Sequence, residues 1–322
     1  MSISYAPWLS AWAAAAYGEG GFWHTEAAEN HFRTAATSTA LLAAAISQLL
    51  CDHRHITDVV ELGAGNGRLL TDLAARRPDL TLSGVDQRAR PDMLPAQVDW
   101  RRDLWDVGTH RWTTGKAAEL LAGLDRPTLV VCIEWLDDLP CPVASWADRR
   151  LRAIEVSCSG AERWGGALQP DESAWCRRWW PVGTRVEVGT TRDCAWADAV
   201  RQLGRVGGLA LVVDYGHVRS QRPLAGSLAS YHRGNQVRPA PSRDANLTAA
   251  VAIDSLAAAG ERHGAVTLAL LRQAEALDAL LPPPAPADTL TALVARSEHA
   301  ALVNRSVWGD QWWLLQRVPG RL

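Results

Sequence analysis

An apolar run, a glycine-rich turn and an amphipathic stretch follow one another in Val59-Val60-Glu61-Leu62-Gly63-Ala64-Gly65-Asn66-Gly67 and Arg68-Leu69-Leu70-Thr71-Asp72-Leu73. The apolar run is typical of a strand buried inside a parallel sheet. Glycine suits the turn because some positions need positive φ and others need closer backbone approach than a Cβ permits. A helix that begins near Asn66 or Gly67 points free N–H groups at a ligand. These residues predict the nucleotide-binding corner of a doubly wound α/β fold.

The glycine spacing separates two classes of nucleotide. A dinucleotide-binding turn follows G-x-G-x-x-G, whereas this chain has glycines at 63, 65 and 67 and Arg68 at the sixth position. This departure weighs against NAD or FAD. With Glu61 in front, the pattern E-x-G-x-G-x-G resembles the first motif of S-adenosylmethionine-dependent methyltransferases, whose ligand has no pyrophosphate. On its own, the pattern is also compatible with an ordinary turn.

Two more carboxylates follow later strands. Leu80–Val85 is a second apolar run and ends at Asp86, about where a carboxylate takes the ribose hydroxyls of an adenosine ligand. Asp103 closes a third run that begins at Val98, and it could accept a hydrogen bond from the adenine amino group. Together with the turn, they predict S-adenosyl-L-methionine as the cofactor. The predicted cofactor-binding residues are Glu61, Gly63, Gly65, Gly67, Asp86 and Asp103.

Composition excludes several classes of partner. The chain has 322 residues and a formal net charge of −2, which gives no overall attraction to nucleic acid or to an anionic membrane. No apolar run approaches the length that crosses a bilayer, and the six cysteines include no C-x-x-C pair. We therefore expect reduced thiols and a cytoplasmic protein without nucleic-acid or membrane partners. The segment 177–180, Arg-Arg-Trp-Trp, could stack on bases, but a helix with a solvated arginine face explains it better.

The N-terminal residues 1–50 read as a helical segment that lies over the open end of the sheet. Pro7 opens an alanine-rich helix, and a second apolar helix runs from about Thr37 to Leu50. Aromatic and polar residues alternate at 22–25 and 31–34, as a ligand-covering lid requires. A plain surface connector is the alternative reading.

The fourth core strand, Thr128–Ile133, leads directly into two acidic residues, Glu134 and Asp137. The carboxyl ends of parallel strands line the ligand crevice of a doubly wound sheet. We therefore predict that both side chains face the cofactor and the methyl acceptor as catalytic residues. Solvated carboxylates around a turn are the plain alternative. A fifth strand, Leu209–Val213, ends at Asp214.

The remaining segments complete a three-part division of the chain. Residues 51–140 and 190–322 form the predicted core, with late strands at 266–269 and 312–316. Residues 141–189 contain an alternating, antiparallel-like strand and a tryptophan-rich helix, and they predict an inserted α+β cap that binds the acceptor. The segment 218–245 is a long loop, and Asn246 is predicted to cap a helix that runs to about Ala259.

The ordered series of motifs resembles one family, the MidA-type methyltransferases, which include the mitochondrial complex I assembly arginine methyltransferase. The resemblance spans about residues 17–256. It rests on the glycine turn and on four later segments, Glu134-Trp135-Leu136-Asp137-Asp138-Leu139-Pro140, Val213-Asp214-Tyr215-Gly216-His217, Gly226-Ser227-Leu228 with Tyr231, and Leu247-Thr248-Ala249. The family's G-D-F-x-T appears here with His31 in place of the aspartate. Its asparagine before the strand-end glutamate is Ile133, and its D-L-T-A-H begins at Asn246 and ends at Ala250.

The resemblance implies a class I methyltransferase of Rossmann-like α/β fold that acts on a protein side chain, arginine in the named relative. A homodimer is also possible. A guanidinium is always protonated, so carboxylates must hold it and bias its charge. Glu134 is the first choice for that role and Asp137 the second, while His31 or His217 could act as general base for a less basic acceptor. The motif replacements leave a rival open, a non-catalytic cofactor-binding or assembly protein on the same fold. A nucleotide-dependent oxidoreductase is disfavoured by Arg68, and no G-x-S-x-G elbow or P-loop is present.

Overall fold

The computed structural model describes residues 4–26, 40–147, 150–282 and 290–321. The helices are α1 (Trp8–Tyr17), α2 (Phe22–Thr25), α3 (Leu41–Asp52), α4 (Arg68–Arg76), α5 (Lys116–Ala122), α6 (Pro170–Trp179), α7 (Thr190–Leu203), α8 (Ile253–Glu261), α9 (Gln273–Leu280) and α10 (Leu290–Val303). The strands are β1 (Tyr5–Pro7), β2 (Asp58–Leu62), β3 (Thr81–Asp86), β4 (Asp99–Arg102), β5 (Trp105–Asp106), β6 (Arg111–Trp112), β7 (Thr128–Ile133), β8 (Val143–Ala147), β9 (Arg150–Ser157), β10 (Glu162–Trp164), β11 (Val186–Glu187), β12 (Gly208–Asp214), β13 (Gly216–His217), β14 (Ala229–His232), β15 (Asn235–Val237), β16 (Asn246–Thr248), β17 (Val251–Ala252), β18 (Val266–Arg272) and β19 (Trp312–Val318).

A seven-stranded sheet forms the centre of the molecule, in the order β18-β19-β12-β7-β2-β3-β4. The pairs from β12 to β4 are parallel, and β19 runs antiparallel to both of its neighbours. The predicted doubly wound α/β sheet is therefore confirmed. From β2 the chain continues to β3 and β4 on one side of the sheet and then crosses to β7 on the other side of β2. Such a reversal of strand order opens a ligand crevice at the carboxyl ends of the strands.

Both faces of the sheet are buried, which explains why its strands read as unbroken apolar runs. Along β7, Leu129 and Val131 pack with α3, α4 and α9 on one face. The alternate residues Val130 and Cys132 pack with α5, α7 and α8 on the other face. Alternate side chains of one strand thus enter two different cores.

A second, antiparallel sheet has the order β1-β9-β8-β11, and β10 also pairs with β9. Its strands and α6 fall within residues 141–189, except for β1, in which Tyr5 pairs with Ser157. The buried aromatic residues Trp8, Trp12 and Phe22 pack against the strands of this sheet. The N-terminus therefore contributes a strand to the structure of the inserted segment, and the three-part domain division stays a prediction.

Two sequence expectations differ from the structure. Asn246 does not cap a helix, because it lies in β16, and α8 begins seven residues later at Ile253. The segment 218–245 is not plain loop, since β14 and β15 form a three-stranded sheet with β16. The predicted helix from Thr37 is described only from residue 40 onwards and begins at Leu41. Within the described residues, no helix combines the length and apolar composition that crossing a bilayer requires.

Candidate active site

The glycine turn after β2 has the backbone that its sequence predicted. Gly63, Gly65 and Gly67 have φ values of 72°, 60° and 72°. The amides of Gly63 and Ala64 both donate to the carbonyl of Val85, at 2.9 and 3.0 Å, and tie the turn to the end of β3. A Cβ on Gly63 would lie 2.3 Å from the Trp135 ring. Glycine is needed here for positive φ and for close approach.

The carboxyl ends of β2, β3, β4 and β7 open into one cleft. The predicted residues that line it are Glu61, Gly63, Gly65, Asp86, Asp103 and Glu134. Gly67 is not part of the lining, because it stands behind the turn as the N-cap of α4, where a Cβ would meet Leu94 at 2.6 Å. The structure thus brings residues from four strand ends together at one site.

Glu61 is a buried carboxyl group with an open acceptor. Its side chain is 3% exposed, and its Oε2 has no hydrogen-bond partner in the part of the chain that the structure describes. Burial raises the pKa of Glu61 well above its usual range, and the nearby Asp86 raises it further. A buried polar atom without a partner costs free energy. A ligand that brings N–H or O–H donors would satisfy it.

Asp86 joins the turn to the end of β3. Its Oδ2 accepts a 2.8 Å hydrogen bond from the amide of Gly65, and its Oδ1 accepts one of 2.9 Å from the amide of Arg88. The Arg88 guanidinium also pairs with Oδ1, at 3.3 Å, and lies 5.9 Å from the centre of the Trp23 ring. The carboxylate thus stands at the wall of the cleft with its orientation fixed. Its contact with ribose hydroxyls stays a prediction.

The Asp103 carboxylate is largely engaged by its own chain. Its Oδ1 accepts from the amides of Leu104 and Thr114, at 2.9 and 2.8 Å, and its Oδ2 accepts from Ala117 at the start of α5, at 2.9 Å. Burial alone would raise the pKa of Asp103, but these hydrogen bonds outweigh it and lower the pKa. Asp103 fixes the connection between β4 and α5, and its contact with an adenine amino group stays a prediction.

Sequence reasoning missed the aromatic residues of the cleft. Trp112 stacks on Trp135 with the ring centres 5.9 Å apart and the planes 2° from parallel. Trp105 meets Trp112 edge to face at 5.4 Å. Tyr17 and Trp23, from the N-terminal segment predicted as a lid, also line the cleft. Only the predicted lid pointed to this pair. Trp135 lies in the motif that begins at Glu134 but has no predicted role, and no motif contains Trp105 or Trp112.

Glu134 lies just beyond β7 in an unusual backbone conformation. Its φ is 47°, in the left-handed region that side chains other than glycine rarely adopt. Its amide nevertheless continues the sheet, because it donates a 2.8 Å hydrogen bond to the carbonyl of Val213 on β12. Strained backbone of this kind clusters at functional sites. The predicted position of Glu134 on the cleft wall is thus observed, while its role stays a prediction.

Three carboxyl groups near Glu134 are buried, those of Asp137, Asp138 and Asp214. Burial raises the pKa of Asp138 and Asp214 well above the usual range, and in both the charge of Asp137 is the next cause. Asp214 also accepts the amide of Leu136 at 3.0 Å. The cluster fixes the loop after β7 and favours a positive charge nearby.

A single arginine holds this loop from behind. Arg192 of α7 is 2% exposed and donates to the carbonyls of Asp137 and Ala249, both at 2.8 Å, and of Leu139, at 3.1 Å. It also lies 5.7 Å from the centre of the Trp12 ring. The loop therefore has a fixed backbone as well as buried acidic side chains.

The second predicted catalytic residue, Asp137, does not line the cleft, whereas its neighbour Asp138 does. The Oδ2 of Asp137 accepts a 2.7 Å hydrogen bond from the Thr248 hydroxyl. The Asn246 amide donates to Asp138 at 3.1 Å, which explains why Asn246 serves β16 rather than a helix cap. A direct contact of Asp137 with the acceptor stays a prediction.

Of the two histidines proposed as general bases, only His217 lies within the described residues. His31 lies outside the described residues. His217 is 5% exposed, its Nδ1 lies 2.7 Å from Nη1 of Arg222, and it is not part of the cleft lining. Burial, and then the Arg222 charge, lower the pKa of His217 to about 3. The structure gives no support to His217 as a base at this site.

Comparisons with known proteins identify a family for this chain and solved structures of the same fold. A family described as "Putative S-adenosyl-L-methionine-dependent methyltransferase" matches residues 40–271. A solved structure described as a "likely methyl transferase from Burkholderia thailandensis bound to S-adenosyl-homocysteine" is 19% identical, with a TM-score of 0.72, and the match covers 99% of this chain and 89% of that one. An uncharacterized protein of the same superfamily and organism is 21% identical, with a TM-score of 0.75 and the same coverage. The comparison with curated proteins found no match.

The residues present fit S-adenosyl-L-methionine. The unpartnered Oε2 of Glu61 offers an acceptor, and the glycine turn leaves room where a Cβ would not fit. Trp112 and Trp135 offer flat apolar surface. The family match covers well over half of the chain and includes every predicted cofactor residue. The chain therefore belongs to this family of S-adenosyl-L-methionine-dependent methyltransferases.

Proposed function

We propose that this protein transfers a methyl group to a protein side chain, and that the side chain is the guanidinium of an arginine. The observation that carries the proposal is the position of Glu134 on the cleft wall, with Asp138 beside it on the same wall. A protonated guanidinium presents a planar set of N–H donors, which matches carboxylate acceptors. The family resemblance of the loop supports the same acceptor.

Different residues of the cleft would bind the cofactor and the methyl acceptor. Glu61 and Asp86 would hold the cofactor, which supplies an electrophilic methyl group when bound. Glu134 would hold the guanidinium, bias its charge away from the attacking nitrogen and accept the proton that this nitrogen loses. Positioning and a fixed electrostatic field account for most of the rate in such a reaction.

The strained backbone of Glu134 serves this role. A left-handed residue at the end of β7 changes the chain direction while its amide stays in the ladder. Asp214 and Arg192 hold the next residues of the loop by hydrogen bonds to backbone atoms, so the carboxylate has a fixed base. Preorganised groups lose little free energy to rearrangement during reaction.

The test is a labelled-methyl transfer assay with the purified full chain, S-adenosyl-L-methionine and bacterial lysate protein as acceptor. We expect label on protein, recovered as methylarginine after acid hydrolysis. Glu134→Gln should lower transfer by at least 100-fold, since it removes a charged transition-state contact worth about 3 kcal/mol. The cofactor affinity of this variant should stay close to that of wild type.

Three outcomes would contradict the proposal. Label on a different residue type would refute arginine as the acceptor. Unchanged transfer by Glu134→Gln would remove its assigned role. Tight cofactor binding with no transfer to any lysate protein would favour the rival, a cofactor-binding or assembly protein on the methyltransferase fold.

A further inference from the structure

The edge that carries Glu134 continues past it onto two more strands. Val213 of β12 pairs with Ile133 on one side and with Trp313 on the other, and Asp214 pairs with Trp312. One step further in the same antiparallel register stand Tyr215 and Gln311. Adjacent strands lie about 4.8 Å apart. In the parallel register of β7 and β12, Glu134 is level with Asp214. Tyr215 and Gln311 therefore stand one residue beyond Glu134 along the carboxyl edge, next to the cleft but not in its lining.

Tyr215 is the partly exposed member of this row. Its side chain is 37% exposed, although it directly follows Asp214, which is fully buried. Burial of its ring raises the pKa of the Tyr215 phenol, and the charge of Glu134 is the next cause. The phenol therefore keeps its proton at neutral pH. It can accept and donate hydrogen bonds beside Glu134 but does not act as a base.

Gln311 is fully buried, and its amide is unused. Its side chain is 0% exposed, and neither Oε1 nor Nε2 has a hydrogen-bond partner within the described residues. Residues opposite each other on adjacent strands project to the same face, so the Gln311 amide and the Tyr215 ring share one face of the sheet. The amide partly offsets the rise in the pKa of that phenol. Functional hydrogen bonds are often long before the ligand binds and tighten in the complex.

Gln273 is a second buried glutamine nearby, and its side-chain amide is fully hydrogen-bonded by the fold. Gln273 is also 0% exposed, but its Nε2 donates to the carbonyls of Leu302 and Trp308, at 3.3 and 3.1 Å. Its Oε1 accepts from Trp313 at 3.2 Å. Gln273 is satisfied by the fold alone and Gln311 is not, although leaving a buried amide unpaired costs free energy.

We propose that Tyr215 binds the methyl acceptor beside Glu134 and that Gln311 is a positioning residue for the Tyr215 hydroxyl. The phenol oxygen accepts one N–H of the acceptor while its own proton is donated to the Gln311 amide oxygen. The inference rests on the proposed function in one respect, because it takes the acceptor to be a guanidinium.

The carboxyl groups around this row are suited to a cation, because a positive charge would stabilise the ionised forms that burial of Asp138 and Asp214 disfavours. Glu134 and Asp138 line the cleft, and Asp214 lies at the end of β12. Arg272, which pairs with Trp312 across β18 and β19, lies 4.0 Å from the centre of the Trp312 ring and forms a 3.2 Å ion pair with Asp310. Its charge is therefore already neutralised, and it does not oppose a second guanidinium.

The experiment measures acceptor binding directly, without turnover. The full chain is saturated with S-adenosylhomocysteine and titrated calorimetrically with N-acetylarginine methylamide. Tyr215→Phe should weaken binding of this probe by about 10-fold or more, since a hydrogen bond to a charged group is lost. Gln311→Met should weaken it several-fold. The control Tyr5→Phe alters a tyrosine of β1 and should bind the probe like wild type.

Gln311→Met also separates positioning from a structural role. Because the side-chain amide of Gln311 makes no hydrogen bond within the described residues, replacing it with an apolar side chain of similar length should leave the melting temperature unchanged or raise it. S-Adenosylhomocysteine affinity should stay the same in Tyr215→Phe and Gln311→Met. A structural role would instead lower the melting temperature and leave probe binding intact.

The inference is overturned if wild type does not bind the probe, or if Tyr215→Phe binds it as tightly as wild type does. Unchanged probe binding by Gln311→Met would remove the positioning role. These results are separate from the proposed function, which fails when methylarginine is not the product. Methylarginine formed by wild type and by both variants at equal rates would leave the proposed function standing and refute this inference.

Discussion

The backbone N–H of Glu134 donates a 2.8 Å hydrogen bond to the carbonyl of Val213, while Glu134 itself has a φ of 47°. The bond extends the parallel ladder of β7 and β12 one residue past Ile133. The chain then leaves the sheet at the cleft wall. A glutamate thus occupies a backbone position that glycine would occupy with less strain.

Replacing Glu134 with glycine or with alanine tests this strain. Both changes remove the carboxylate, but only glycine relaxes the left-handed backbone, which costs other residues about 1–2 kcal/mol. We expect the free energy of unfolding of Glu134→Gly to exceed that of Glu134→Ala by about 1 kcal/mol in urea denaturation. An alanine variant of equal or greater stability would show that the conformation is unstrained.

A methyl group at Gly63 tests the close approach at the turn. Gly63→Ala combines a φ of 72° with a Cβ that would lie 2.3 Å from the Trp135 ring. Gly115→Ala is a matched control, because Gly115 has a φ of 77° and nothing within 4 Å of the added Cβ. The control should lose about 1–2 kcal/mol of stability. Gly63→Ala should lose clearly more and bind S-adenosylhomocysteine more weakly, and equal losses would contradict the role of the contact.

Asp193 makes stability depend on pH. It is 6% exposed and accepts a 2.9 Å hydrogen bond from Trp175, and burial raises its pKa to about 6. A raised carboxyl pKa means that the folded state binds the proton more tightly. The contribution is therefore complete below the unfolded pKa of about 4 and is lost as pH rises through about 6.

Asp193→Asn removes this titration and keeps an oxygen acceptor for Trp175. Relative to the variant, wild type should lose about 2 kcal/mol of unfolding free energy between pH 4 and pH 7. Urea denaturation of both proteins across this range measures the difference. A difference that does not change with pH, or changes in the opposite direction, would contradict the raised pKa.

The sequence predicts the central sheet well, because strands buried on both faces appear as unbroken runs of apolar residues. Every residue from Thr128 to Ile133 is buried, and the predicted bounds of this strand are those of β7. The glycine turn is equally predictable, since positive φ and close approach select glycine. The predicted carboxylates of the cleft follow from the same logic, because each lies at or next to the carboxyl end of a strand.

What the sequence does not predict depends on distant partners. Nothing in the first seven residues indicates that Tyr5 pairs with Ser157. Asn246 resembles a helix cap locally, but its amide binds Asp138, which is 108 positions away. The choice between Asp137 and Asp138 at the cleft depends on the turn that begins at Glu134. A non-glycine residue at positive φ leaves no mark in the sequence.

The central claim, that an adenosyl ligand binds where β2 and β3 end, is tested most directly by calorimetric titration with S-adenosylhomocysteine. Wild type should bind it at one site. Asp86→Ala should bind it about 10- to 100-fold more weakly, since a charged hydrogen bond is lost. Asp79→Ala, which removes an exposed ion pair with Arg77 before β3, should bind like wild type. Equal affinity of wild type and Asp86→Ala, or no binding by wild type, would contradict the claim.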